Sequence, residues 1–243
     1  MPIAHYLAMT AGEIAGGSGL PHQIAWMASH FSSCSSGLSN LPKWLPSGSL
    51  LILDDSTPIE DHDPERIAAQ LRTSMEQLQC AGLLLDFQRP GVEKIRALTR
   101  YLCQTLPHLV VVSDQYAGDL DCGVFLSPIP PDSPMAPCLS QWHGREIWLD
   151  TTMEGQKITL TEQGAISAPL PAAECPEEGL EDKELHCHYR ILSDNDKAVF
   201  SLWRTKEDIA AQLAEAEALG VAAAVGLYQE FKSPLPEKEE GQN

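Results

Sequence analysis

Positive charge is scarce in this chain: 16 lysines and arginines stand against 34 aspartates and glutamates, for a net charge of −18. A surface of that sign repels phosphate backbones and anionic lipid, which argues against nucleic-acid and membrane-surface partners. No apolar run approaches the ~20 residues of a transmembrane helix, so no membrane span is expected. The opening Met1-Pro-Ile-Ala-His-Tyr6 has neither a basic stretch nor a long apolar core and does not read as a signal peptide. A cytoplasmic location is the expectation, with an exported mature form left open. The seven cysteines (34, 80, 103, 122, 138, 175 and 187) form an odd set without a C-x-x-C pair, which suits reduced thiols better than a disulfide frame.

Other familiar signals are missing too. There is no repeat at fixed spacing and no G-x-S-x-G elbow of the α/β-hydrolase kind. Gly16-Gly17-Ser18-Gly19 lacks the lysine and helix of a phosphate loop and reads as a flexible loop. His186-Cys187-His188 puts two histidines on one face of an expected strand, but spacing offers no third ligand. Neither a metal nor a cofactor is expected.

What is there is a series of short, continuous apolar runs. They are Ile3–Met9, Ile24–Ala28, Leu50–Leu53, Leu83–Leu85, Leu109–Val112, Val124–Leu126, Ile147–Leu149 and Val221–Leu227. Strands buried on both faces read this way, as in a parallel sheet. Eight of them suggest an α/β fold, a reduced (β/α)8 barrel. Three helices are signalled. Asp63-Pro64 starts one whose Ile67, Leu71, Met75 and Leu78 share a face. A second runs from Val92 to Leu106 and is stopped by Pro107. The third begins at Thr205, with Asp208 three residues on, and ends at Gly220.

Residues 11–23, 32–47 and 128–137 read as loops. Lys157–Leu160 with Gly164–Ile166, and His186–Leu192 with Ala198–Trp203, read as β-hairpins inserted before the last strand. Residues 169–184 form an exposed excursion between them. The expected organisation is one domain over 1–231 and a tail over 232–243.

In such a barrel ligands sit at the C-terminal strand ends. Those ends supply His30, Asp54, Asp55, Asp86, Gln88, Asp114, Tyr116, Asp150, Tyr228, Gln229 and Glu230. Carboxylates gathered at one mouth couple strongly, the usual setting for acid–base work. Trp26, Trp148, Trp203 and Tyr228 are aromatic faces on which a sugar can stack, with core packing the plainer role for each.

The stretch Ala81-Gly82-Leu83-Leu84-Leu85-Asp86-Phe87-Gln88-Arg89-Pro90 resembles the fourth-strand signature of the family 18 glycoside hydrolases, DGxDxDxE followed by an aromatic and proline. Gly82, Asp86, Phe87 and Pro90 carry the likeness. The helix from His62-Asp63-Pro64-Glu65 is similar to the one leading into that strand. Phe200–Ile209 with Ala218–Leu227 is similar to the family's last unit. The resemblance implies a barrel, a glycan partner and a substrate-holding role for Asp86. It also exposes departures. Gln88 stands where the family has its general acid, and Leu84 where it has its middle aspartate. Phe125-Leu-Ser-Pro128 replaces Met-x-Tyr-Asp. Leu53-Asp-Asp-Ser56 replaces the third-strand Ser-x-Gly-Gly, and Leu227-Tyr-Gln-Glu230 stands where the last strand has its tryptophan.

An amide donates no proton at neutral pH, and general acid catalysis is worth about 10²–10⁴-fold. Three readings follow. The first is a barrel that binds a glycan, or another small polar ligand, with weak or no chitinase activity. The second is a hydrolase that pairs Asp86 with an acid from elsewhere, Glu230 or Asp54. The third is a barrel with no carbohydrate role. In the first two, Gln88, Asp55, Asp114, Tyr116, Asp150, Tyr228 and His30 are the substrate-binding candidates.

Overall fold

The structure, a computed structural model, describes residues 3–15, 20–59, 62–194 and 197–232. The chain runs β1 (Ala4–Met9), α1 (Ala11–Ala15), β2 (Ile24–Phe31), β3 (Leu38–Ser39), β4 (Leu50–Asp54), α2 (Pro64–Leu78) and β5 (Gly82–Asp86). It continues through α3 (Glu93–Thr105), β6 (Leu109–Ser113), α4 (Asp114–Ala117), β7 (Gly123–Leu126), α5 (Met135–Ser140) and β8 (Ile147–Thr151). An insert follows, β9 (Gly155–Thr161), β10 (Gly164–Leu170), β11 (Leu180–Asp182), β12 (Cys187–Asp194) and β13 (Lys197–Trp203), then α6 (Lys206–Ala218) and β14 (Ala223–Leu227).

Eight parallel strands close on themselves in the order β1-β14-β8-β7-β6-β5-β4-β2, with β2 returning to β1. This is the expected α/β barrel, and each of the eight apolar runs supplies one stave. Alternation divides their side chains between two cores. Leu51, Leu53, Leu83, Leu85, Val112 and Leu149 point outward to a shell completed by Ile67, Leu71, Met75, Ile95, Leu98 and Leu102 of the helices. Ala25, Leu50, Ile52, Leu84, Val111, Phe125, Trp148 and Val225 fill the interior. Tyr6 stacks on Trp148 there, with ring centres 5.5 Å apart. The barrel is therefore packed below its mouth.

Two of the three long helices, α2 and α6, keep the caps that the sequence announces. The Asp63 carboxylate accepts from the Glu65 amide, with Pro64 opening α2. Thr205 and Asp208 form a reciprocal capping box on α6, and Gly220 follows that helix at φ +83°. Such caps are each worth about 1 kcal/mol.

Several loop expectations are corrected locally. Residues 11–15 form α1, where the Glu13 carboxylate accepts from the Thr10 amide and hydroxyl at 2.7 and 2.9 Å. Residues 38–39 pair with β2, and α5 begins inside 128–137. The two hairpins join through β9–β13 into one antiparallel sheet, β10-β9-β13-β12-β11. The fifth strand, β11, comes from the presumed excursion, which is otherwise mostly exposed. Its Leu-Glu-Asp carries no periodic signal; pairing with β12 makes it a strand. Gln156 and Leu202 are register partners, so the insert leaves and re-enters the barrel side by side. Gly155 permits this approach, since a Cβ there would lie 2.4 Å from the Leu202 carbonyl. The loop at Gly16–Gly19, the Asn195-Asp196 turn and the tail past Lys232 lie outside the described residues.

Candidate functional site

Three barrel strands carry the dipeptide Leu-Asp at or next to their C-terminal end: Leu53-Asp54 on β4, Leu85-Asp86 on β5 and Leu149-Asp150, one residue before the end of β8. Each leucine points to the outer shell, so each aspartate points into the mouth. Asp54 and Asp86 are register partners on adjacent strands. Asp150 sits beside Val225 of β14, three places around the ring from β5. Together they line a cavity of about 280 Å³, with Glu154, Thr152 and Pro128 at its side and Met27, Ile52, Leu84, Phe125 and Val225 among its apolar walls. That volume lies just below the roughly 300–1,000 Å³ usual for ligand pockets.

The segment after β5 is held from outside the cavity. Asp55 is buried, and its two oxygens accept from the Gln88 and Arg89 amides at 3.0 and 2.9 Å. Tyr116, also buried, donates its hydroxyl to the Arg89 carbonyl and accepts from the Val92 amide at 3.1 Å. Ser113 donates to the Phe87 carbonyl at 2.7 Å. These bonds fix the exposed Gln88 over the mouth, where its amide nitrogen donates to an Asp86 oxygen.

The carboxyls differ in their hold on a proton. Burial pushes Asp86 above the ordinary carboxylate range, as do the charges of Asp54 and Asp55, while the Gln88 amide pulls it back. Asp150 is pushed up to about 8, first by burial and then by the charges of Asp86 and Glu230, with the Thr151 amide opposing. Asp150 thus holds a proton at neutral pH. On the outer face, the Thr151 hydroxyl donates to the Val225 carbonyl and meets His5 Nε2, each at 3.0 Å. Burial lowers His5 to about 4, so it stays neutral.

The structure brings only part of the sequence-read set to the cavity. Asp54, Asp86 and Asp150 line it, and Gln88 bonds to Asp86 above it. Asp55 and Tyr116 brace the loop below Gln88 and do not line the cavity. Glu230 stands beside it, accepting from the Met153 amide at 2.6 Å and the Thr152 hydroxyl at 3.3 Å. Asp114 opens α4 and accepts from Ser127 at 3.2 Å. His30 bonds to the Ala28 carbonyl, and Tyr228 packs on the outer shell. None of these last four lines the cavity.

The aromatic faces are placed elsewhere as well. Trp148 lies deep in the interior, donating to Glu146; Trp26 donates to the Asn40 carbonyl; Trp203 stacks on His188. Glu154, Thr152 and Met27 are additions the sequence reading missed. Parity along β2 offered Met27, whereas nothing in the β8–β9 link marked the other two.

The paired-histidine reading is corrected. His186 has φ +47° and precedes β12, so it shares no strand face with His188. His186 pairs with Glu215 at 3.0 Å and His188 with Asp208 at 2.8 Å. Among the described residues no three His, Cys, Asp or Glu side chains are placed to hold a metal ion. No described helix is long and apolar enough to cross a membrane.

The architecture is similar to that of solved family 18 and chitinase-like barrels. A family 18 N-acetylglucosaminidase from Paenibacillus barengoltzii superposes with a TM-score of 0.58 at 11% identity, covering 92% of this chain and 94% of its own. The chitinase-like agglutinin RobpsCRA from Robinia pseudoacacia gives 0.57 at 11% identity, over 91% and 93%. The Bacillus cereus spore cortex-lytic enzyme SleL gives 0.53 at 9%, over 95% and 73%. No protein-family description matches the sequence, and no curated protein does. Identity this low establishes a shared fold, and the same fold carries an enzyme and an agglutinin in these neighbours.

Proposed function

We propose that this chain is a carbohydrate-binding barrel that takes a sugar ring at its mouth and does not run the family 18 reaction through residue 88. The observation that carries it is the single cavity into which Asp54, Asp86 and Asp150 converge at the strand ends. Carboxyl groups over an apolar floor suit a sugar, with hydroxyls to bond and ring hydrogens to bury. Gln88, braced by Asp55 and bonded to Asp86, offers an amide where the resemblance calls for an acid. A glycan array followed by calorimetry tests this reading. Saturable binding lost in Asp86→Asn supports it, and no binding on a broad array overturns it.

A hydrolytic reading is favoured by one observation. Asp54 accepts from Ser56 and Glu230 from Met153 and Thr152, whereas burial and the neighbouring charges raise Asp150, which so keeps a proton to give. The expected mark of that reading is cleavage of an aryl glycoside that falls at least tenfold in Asp150→Asn. Gln88→Glu adds a control: cleavage gained there shows that the rest of the mouth accepts the family's substrate.

A further inference from the structure

A second cluster of reactive side chains lies at the end of the barrel away from the mouth. Cys103 stands in the last turn of α3, just before the chain enters β6. Cys122 stands one residue before β7, and Arg145 two residues before β8. All three sit where strands enter the barrel, the end away from the ligand-binding loops of such a fold.

The three side chains meet. The Cys103 and Cys122 thiols hydrogen-bond to one another. Arg145 Nη2 donates to Cys122 Sγ at 3.2 Å. The same guanidinium is fixed by carbonyls: Nη1 donates to Gly118 at 2.8 Å, and Nη2 to Leu120 at 2.7 Å and to Cys122 at 2.9 Å. It also lies over the Trp142 ring, 5.3 Å from its centre. Carbonyls and a ring hold the group in place without neutralising it, so its field acts on the sulfur. Cys103, Cys122 and Arg145 are each half-buried, which leaves the sulfurs within reach of a small reactant.

The thiolate, not the thiol, is the nucleophile, and a neighbouring cation favours it. The bond from Cys103 and then the charge and bond of Arg145 push Cys122 down, against burial and the charge of Asp121. Cys103 is pushed up by that same bond and by burial. The two sulfurs are therefore unequal: Cys122 is the nucleophile and Cys103 keeps its proton. The thiols of Cys80, Cys175 and Cys187 all go up, first through burial.

We propose that Cys103 and Cys122 form a redox-active dithiol, oxidised by a hydroperoxide to a reversible disulfide, with Arg145 as the positioning residue for the Cys122 sulfur. With hydrogen peroxide, the Cys122 thiolate attacks one oxygen and the O–O bond breaks. The sulfur becomes a sulfenic acid, and the departing hydroxide takes up the proton that Cys122 lost on ionising. The Cys103 sulfur then attacks the Cys122 sulfur, the S–O bond breaks, and water leaves with the Cys103 proton. Two thiols and one peroxide thus give one disulfide and two waters. A dithiol reductant reverses the change by exchange. The new bond ties the last turn of α3 to the entry of β7. Nothing in this step involves the mouth, so it stands apart from the carbohydrate reading.

The test is peptide mapping by mass spectrometry of the full chain after hydrogen peroxide, with free thiols blocked by iodoacetamide. The expected result is a Cys103–Cys122 linkage that forms ahead of any oxidation of the exposed Cys34 and is lost on adding dithiothreitol. In Cys103→Ser the reaction stops one step early, and dimedone labels Cys122. In Cys122→Ser no linkage forms and dimedone leaves Cys103 unlabelled. Arg145→Gln slows linkage at least about fivefold, and Arg145→Lys, which restores the charge without the planar fork, recovers part of the rate. If an Arg145 variant fails to fold, the two serine variants decide. Cys34 oxidised while Cys103 and Cys122 both remain alkylated overturns the proposal, as does a linkage between other cysteines. So does Cys103→Ser with no dimedone adduct on Cys122. A rate unchanged in Arg145→Gln overturns the role given to Arg145.

Discussion

The two sides of the barrel mouth begin from the same sequence element and meet different partners. On the β4–β5 side, Leu53-Asp54 and Leu85-Asp86 are each followed two residues later by a side chain that turns back and donates, Ser56 and Gln88. On the β8 side, Leu149-Asp150 is followed by Thr151, whose hydroxyl faces the outer wall and bonds to Val225 and His5. The first side meets its carboxyls with side-chain donors; the second offers Asp150 only a backbone amide, and burial raises it. Strand ends set where a carboxyl points. The residues that follow set which donors meet it.

The contrast can be broken most forcibly from below. Leu84 faces inward one layer beneath Asp86 and is 1% exposed. Leu84→Asp, which rebuilds the middle aspartate of the resembling signature, is expected to lose about 3–5 kcal/mol in urea unfolding at pH 7, because it puts a charge in the apolar wall at the foot of the cavity, beneath Asp86. A loss under about 1 kcal/mol would show that the interior admits water, and the distinction between mouth and interior would fail. Next is Asp55→Ala, which strands the Gln88 and Arg89 amides. It is expected to cost about 2–3 kcal/mol and to raise Asp86 further as Gln88 drifts, visible in a carboxyl NMR titration.

Asp150→Asn sharpens the β8 side, and its sign is opposite. The folded-state value, about 8, lies above the unfolded one, so the folded protein binds the extra proton between about pH 4 and 8 and loses stability as pH rises through that window. The variant lacks the penalty. It is expected to be more stable than the parent by on the order of 1–3 kcal/mol at pH 9, with the gain shrinking towards pH 5. A gain that does not vary with pH would assign Asp150 an ordinary carboxylate and remove the contrast.

The smallest effect belongs to the outer face. His5 is lowered from 6.5 to about 4, so its contribution is whole above pH 6.5 and drains away as pH falls towards 4. His5→Gln should flatten thermal melts over that range by on the order of 1 kcal/mol. An unchanged acid slope would mean that His5 titrates freely beside Thr151.

Much of this fold was legible because burial on both faces leaves a plain trace. All eight staves were visible as apolar runs, and Asp63-Pro64 and Thr205-x-x-Asp208 announced their helices through cap chemistry. The inserted sheet was only half visible, since β11 depends on a partner strand rather than on its own residues. The mouth was legible as a set of positions and not as a set of roles. Asp54 and Asp55 are neighbours with opposite orientations, and strand parity alone separates the lining residue from the brace. Tyr116 looked like a ligand contact because it follows a strand end, whereas it closes the loop of another strand. Asp150 gave no sign of its proton, because burial and the charges of Asp86 and Glu230, far away in sequence, keep it there.

The pairing of Gln156 with Leu202 has a consequence for engineering this chain. Where entry and exit are adjacent rungs of one ladder, whatever hangs beyond them is a pendant, and ring closure is indifferent to its length. The exposed Glu162-Gln163 tip at its far end is thus a port for splicing in a reporter domain while the eight-membered cylinder stays shut.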